Sequence, residues 1–226
     1  RQGWANEPAA KGQMELGGME PAILLAFAGT AMLIELTPGP NMVYLAVVAA
    51  SQGRRLGFAA VAGVAVGLAI VGLAAALGLA AAINASPLLF QALRFGGVAY
   101  MLWLAWDGWR DATEPVQTVA SGVAARIYFR RGLITNLLNP KAAVFYVAIL
   151  PSFVSTDAPV MMQTLALSAV FCAVATAIHV GIVSLAGTAQ TLLENERYSR
   201  IIRRALALAL VAVALWFGWT TTFSPH

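Results

Sequence analysis

Cysteine is nearly missing from this 226-residue chain, where Cys172 stands alone. A single thiol excludes an internal disulfide, a C-x-x-C redox pair and any thiolate-based zinc or iron-sulfur site. Charge is almost as scarce. Only 11% of residues are Asp, Glu, Lys or Arg, against 60% hydrophobic, whereas a soluble domain carries about a quarter charged residues to coat its surface. With a mean hydropathy of +0.76, the chain has charge enough only for a narrow belt at each end of a membrane-embedded body. Signatures of hydrolytic enzymes are missing too: there is no G-x-S-x-G elbow and no H-E-x-x-H pair. The net charge of +4 does not point to nucleic acid, because the basic residues are dispersed between apolar runs rather than gathered on one face. No enzyme activity, metal or cofactor is expected.

What is present is long apolar sequence. A helix that crosses the hydrocarbon core needs roughly 20 mostly apolar residues, and six runs qualify: Pro21 to Ala50, Gly57 to Ile83, Leu88 to Trp109, Gly132 to Phe153, Val160 to Leu193 and Ile201 to Phe223. The expected fold is an all-α integral membrane protein of about six transmembrane helices. Arg54 and Arg55 follow the first run, Arg110, Arg126, Arg130 and Arg131 separate the third from the fourth, and Arg197, Arg200, Arg203 and Arg204 separate the fifth from the sixth. The opposite loops, Asn84 to Pro87 and Ser155 to Pro159, carry no lysine or arginine. Cytoplasmic loops hold the excess of basic residues, so the pattern predicts a plasma-membrane protein with both termini outside. Trp103, Trp106, Trp109, Trp216 and Trp219 suit interfacial belts, with packing between helices as the alternative. Residues 1–20 have no continuous apolar stretch of the secretory kind and read as a disordered arm, with Met14 and Met19 as alternative starts.

Proline inside a helix removes a backbone hydrogen bond and clashes with the preceding turn, costing about 3 kcal/mol or more. The first run nevertheless contains Thr37-Pro38-Gly39-Pro40-Asn41, and the fourth contains Asn139-Pro140-Lys141. Nine residues separate Arg131 from Pro140 and fourteen separate Pro40 from Arg54, or about 14 and 21 Å at the helical rise. Both breaks thus fall near the middle of a core roughly 30 Å thick, where freed backbone groups are tolerated only if buried in protein or facing a wet cavity. A polar stretch from Ala112 to Ala125, with Pro115 and Gly122, divides the membrane domain 21–223 into a first repeat at about 21–109, a linker at about 110–131 and a second repeat at about 132–223. The first helix of each half is broken, and the two run in opposite directions, so the expected arrangement is two inverted three-helix repeats. Interrupted helices in matching positions of inverted repeats point to a midplane substrate site. Freed N–H groups suit a carboxylate and freed carbonyls an ammonium, so a small zwitterion is the expected ligand. The plain alternative is a pair of kinks that only shape packing.

The motif Thr37-Pro38-Gly39-Pro40-Asn41, followed by Gly53-Arg54-Arg55 and a glycine-spaced second helix, resembles the LysE/RhtB family of small amino-acid exporters. Arg131-Gly132, Asn136-Leu137-Leu138-Asn139-Pro140-Lys141-Ala142-Ala143 and Leu150-Pro151-Ser152-Phe153 are similar to that family's second signature, and Gly96-Gly97-Val98-Ala99-Tyr100-Met101 to its third helix. The resemblance runs from about Glu20 to Phe223. It implies a plasma-membrane carrier that exports amino acids or related amines, driven by the proton gradient.

Substrate-binding candidates are Thr37, Pro38, Gly39, Pro40, Asn41, Asn139, Pro140 and Lys141. Asn41 and Asn139 both donate and accept, which suits replacing lost backbone bonds as much as binding substrate. Lys141 matches the family motif and suits a substrate carboxylate or a lock between halves; snorkelling is the competing reading. Glu35, two residues before the break, and His179, mid-way along the fifth run, are the proton-coupling candidates. A structural pair of Glu35 with Lys141, and a hydrogen-bonded core histidine, are their respective alternatives. Arg94 and Asp107 read as interfacial, and Cys172 as packing. Gly63 and Gly67 form G-x-x-x-G, which serves helix packing within the chain or a homodimer face. The function expected is proton-coupled export of small amino acids by alternating access; a carrier of another small molecule, or a structural membrane protein, is the alternative.

Overall fold

The computed structural model describes residues 19–37, 39–78, 86–111, 121–155, 158–188 and 196–220. The expected disordered arm up to residue 18, Pro38 and the centre of the linker lie outside the described residues, as do the side chains of Arg94, Pro140, Arg197, Arg200 and Arg203. The described residues fold into eight α-helical segments: α1 (Pro21–Leu36), α2 (Pro40–Gln52), α3 (Arg54–Ala76), α4 (Pro87–Asp111), α5 (Ser121–Leu137), α6 (Pro140–Val144), α7 (Val160–Ala186) and α8 (Glu196–Thr220).

Two of these, α3 and α7, are straight, apolar and long enough to cross a bilayer. Neither holds a proline or a charge beyond the first turn, and at 23 and 27 residues they reach about 35 and 40 Å. α1 and α2 together have the length and composition of one further span bent by 61°, and α5 with the segment after it of another bent by 47°. α4 and α8 run 25 residues each, long enough to cross by rise alone. The chain is an all-helical, multi-pass membrane protein. Its outer surface agrees with lipid contact: Leu25, Leu33 and Leu185 are 73, 71 and 75% exposed. Trp106 at 64% and Trp219 at 86% also face outward, as a belt residue does and a packed one does not.

Sequence chemistry explains the boundaries. Pro40 begins α2 at the position where a missing N–H costs nothing. Gly53 joins α2 to α3 at φ 90°, a conformation that glycine adopts without penalty. After α6 the helix loosens into a π turn over Phe145–Ile149 and a tight 3-10 turn over Leu150–Phe153, because Pro151 has no N–H to continue the ladder. The stretch expected as a linker at 110–131 is helical at both ends. α4 continues to Asp111 and α5 already starts at Ser121, since Ala124, Ala125, Arg126, Arg130 and Arg131 are all strong helix formers.

α3 is the hub, packed against α5 and α7; α4 packs against α8, and α2 against α3, α7 and α8. The contact with α5 is backbone to backbone. A Cβ at Gly63 would overlap the Phe129 carbonyl, one at Gly132 would overlap the Ala60 carbonyl, and one at Gly67 would strike Asn136. The G-x-x-x-G of α3 thus meets its own chain. Aromatic rings close the core beside the second break: Phe145 stacks on Phe171 at 3.9 Å, and Phe27 meets Phe145 and Phe153 edge-on at 5.5 and 5.2 Å.

A candidate midplane site where two helix breaks meet

At the first break, Thr37 turns its own N–H (3.1 Å) and its hydroxyl back onto the Ile34 carbonyl, which the missing proline donors would otherwise leave unbonded. The Thr37 carbonyl then points away from the helix. At the second break Asn139 caps α6 through its side chain, whose oxygen accepts the Lys141 N–H at 3.1 Å. That cap fixes the start of the short helix and so the direction in which Lys141 leaves it.

Lys141 does not snorkel. Its ammonium crosses to the first break, donating to the Thr37 carbonyl at 2.9 Å and lying 3.9 Å from a Glu35 carboxylate oxygen. Gly39 makes room for it: a Cβ there would come within 3.2 Å of the lysine stem. The other Glu35 oxygen lies 3.5 Å from His179 Nε2 on α7. Glu35 is 7% and His179 1% exposed, so one buried carboxylate is shared between a cation of one break and an imidazole of a third helix.

A second contact joins the other arms of the two broken helices, α2 and α5. Asn41 Nδ2 donates to Asn136 Oδ1 at 2.8 Å, and both residues are buried. Their remaining atoms, Asn41 Oδ1 and Asn136 Nδ2, have no hydrogen-bond partner among the described residues, and neither does either ring nitrogen of His179. Polar groups this deep are normally satisfied. The asparagine pair thus offers one further acceptor, Asn41 Oδ1, and one further donor, Asn136 Nδ2.

Comparison with known proteins bears directly on this arrangement. The profile of the LysE type translocator family matches residues 31–220. The chain belongs to the LysE type translocators. Among its relatives, the homoserine/homoserine lactone efflux protein of Salmonella typhimurium is 28% identical over 83% of this chain and 92% of that protein. The leucine efflux protein of Klebsiella pneumoniae is 32% identical over 59% of this chain and 64% of its own length, and an uncharacterized membrane protein of Vibrio cholerae is 32% identical over 60% and 67%. No solved structure matches.

In this LysE type translocator Lys141, whose helix Asn139 caps, meets Glu35, Thr37 and Gly39, with His179 next to Glu35, while Asn41 pairs with Asn136. Gly67 lies against Asn136, whereas Gly63 lies against the Phe129 carbonyl. Asp107, expected at the interface, is paired with Arg131 at 2.5 Å, away from the breaks. Cys172 directs its thiol to the Ala65 carbonyl at 3.5 Å, a packing contact. Sequence reasoning missed Asn136, which is fully buried. The signal available was its place in the motif: Asn136 is a second asparagine three residues ahead of Asn139, at the end of α5 just before the break.

Proposed function

We propose that this translocator exports small amino acids, or close derivatives of them, across the plasma membrane in exchange for protons. The observation that carries the reading is the sharing of Glu35 between Lys141 and His179 at the junction of the two breaks. A buried carboxylate can hold either a proton or the ammonium group of a substrate, and competition between the two is the physical basis of exchange. Lys141 and the free Asn136 amide suit the substrate carboxylate, while Glu35 and the free Asn41 oxygen suit its ammonium. The breaks are closed on each other here, so a substrate gains the site as they separate. Protonation of Glu35 removes its attraction for Lys141 and favours that separation. The names of the relatives, efflux proteins for homoserine, its lactone and leucine, support an amino-acid cargo and the outward direction.

Alternating access draws support from the packing. α3 against α7 and α4 against α8 are the pairs a two-fold axis between inverted halves would create, and the contacts of α3 with α5 are echoed by those of α7 with α1 and α2. The basic loops also converge. Arg54 bonds the Ser184 carbonyl near the end of α7, and Arg204 covers Trp109 near the end of α4, which supports one basic, cytoplasmic end and both termini outside.

The test is efflux of a panel of labelled amino acids from cells preloaded with hydrolysable peptides, comparing wild type, Lys141→Ala and empty vector with surface levels checked. Faster loss of at least one amino acid with wild type, abolished in a correctly inserted Lys141→Ala protein, is expected. A panel in which nothing responds to the inserted wild type overturns the amino-acid assignment.

A further inference from the structure

A cavity of about 50 Å³ lies between α2, α4, α5 and α8, away from the breaks and toward the end of the bundle that bears the basic loops. Tyr44, Ser51, Leu104, Tyr128 and Arg131 are among the residues that line it. Tyr44 follows Asn41 by one turn of α2, and Arg131 precedes Asn136 on α5, so the same two helices that carry the asparagine pair also wall this cavity.

Two features mark it as a binding site. Tyr44 is 2% exposed, and its hydroxyl has no hydrogen-bond partner among the described residues. A buried hydroxyl needs a hydrogen-bond partner, and the cavity that Tyr44 lines is where one can bind. The second feature is the way Arg131 is held. Its guanidinium lies 5.3 Å from the Trp103 ring and 5.5 Å from that of Tyr128, contacts that fix its position whatever anion it carries. At present that anion is the Asp107 carboxylate at 2.5 Å, and the two side chains are 21 and 25% exposed. Partial exposure makes such a pair exchangeable, since water and competing ions reach it.

We propose that Arg131 and Tyr44 form a second, carboxylate-binding site, in which the carboxylate of an incoming amino acid takes the place that Asp107 holds on the guanidinium. The cavity is large enough for that end of the molecule. Val47, Val48 and Leu210 offer apolar wall to a short aliphatic side chain. Displacement of Asp107 frees α4 from α5, which couples arrival of the ligand to loosening of this end of the bundle. The role as a loading station on the way to the breaks rests on the exporter reading; the carboxylate chemistry does not.

The test is calorimetric titration of the full chain in phosphatidylcholine nanodiscs with isovalerate and, separately, isobutylamine. Lys141→Ala serves as the background, so that the midplane lysine takes no part. Isovalerate is expected to bind saturably and isobutylamine not at all. Asp107→Asn, which removes the competing anion, is expected to tighten isovalerate by about tenfold. Tyr44→Phe, which keeps the ring and removes only the donor, is expected to weaken it by about fivefold. Absence of isovalerate binding both to wild type and to a Lys141→Ala protein that keeps the wild-type circular-dichroism spectrum, or an affinity indifferent to both substitutions, overturns the site. Wild type that binds isovalerate in this pattern but exports no amino acid overturns the exporter reading instead and leaves the site standing.

Discussion

The two helix breaks solve the same problem by different means. Asn139 caps the second with its own side chain, a local hydrogen bond two residues long. The first has Gly39 at the equivalent position, and no side chain caps α2. Its exposed Thr37 carbonyl is satisfied from the other half of the protein, by Lys141 across 104 residues of sequence. One break is self-sufficient and the other is completed by its counterpart. The bent pairs differ accordingly, 61° at the first and 47° at the second. A break finished by a residue from the opposite half can be opened by moving that half, whereas a break finished by its own asparagine moves as a unit. On the exporter reading proposed above, the first break is the element whose hydrogen bonding would change as the halves separate.

Removing Lys141 breaks the comparison outright and carries the largest expected effect. Lys141→Ala leaves the Thr37 carbonyl without its donor and Glu35 with His179 alone. Loss of one partner of a buried pair costs about 3–5 kcal/mol, so we expect export to fall to the vector level and the melting temperature of the purified protein to drop. Export that survives in an inserted variant would show that Lys141 only supports structure. Glu35→Gln comes next. It keeps the shape but holds neither a proton nor an ammonium charge, so export is expected to lose its response to an imposed pH gradient. Substrate exchange at equal pH on both sides, measured in proteoliposomes, is expected to persist at a reduced rate. Retention of the pH response would move proton coupling elsewhere.

The asymmetry between the breaks shows what one sequence discloses. Proline positions are local, so Pro38, Pro40 and Pro140 announced both interruptions. Partners are not local. Nothing in Glu35 or His179 indicates that α1 and α7 set them 3.5 Å apart, and Asn136 read as one letter of a motif until α5 brought it to Asn41 at 2.8 Å. The start of α5 at Ser121 is masked by its polar composition, although its arginines and alanines favour helix. Arg131 and Asp107 read as topology and interface, since each helix end is charged for that reason alone and only the crossing of α4 and α5 makes them a pair.

Smaller effects sharpen the contrast. Asn139→Ala removes the local cap and is expected to cost about 1 kcal/mol of stability, visible as a modest fall in melting temperature, with export kinetics close to wild type. The capping loss is confined to α6, and Lys141 retains its links to Thr37 and Glu35. A large loss of transport without loss of stability would mean instead that the Asn139 side chain meets the substrate.

Gly39→Ala has the smallest expected effect on stability and the most informative one on transport. Gly39 sits at φ −154° and ψ 174°, extended backbone that alanine adopts without strain. Its new Cβ would come within 3.2 Å of Lys141 Cδ and 3.6 Å of Nζ, against a flexible side chain rather than backbone. The lysine gives way by a few tenths of an ångström and folding changes little, within the roughly 0.5 kcal/mol typical of innocuous substitutions. That same displacement moves the ammonium relative to the Thr37 carbonyl and Glu35, the contacts on which the proposed function rests. Efflux assays are therefore expected to show a several-fold rise in the half-saturating substrate concentration with an unchanged melting temperature. An unchanged half-saturation would mean that the lysine has latitude at this point and that the first break tolerates imprecise completion, whereas unfolding would mean that Gly39 is needed for packing rather than for Lys141.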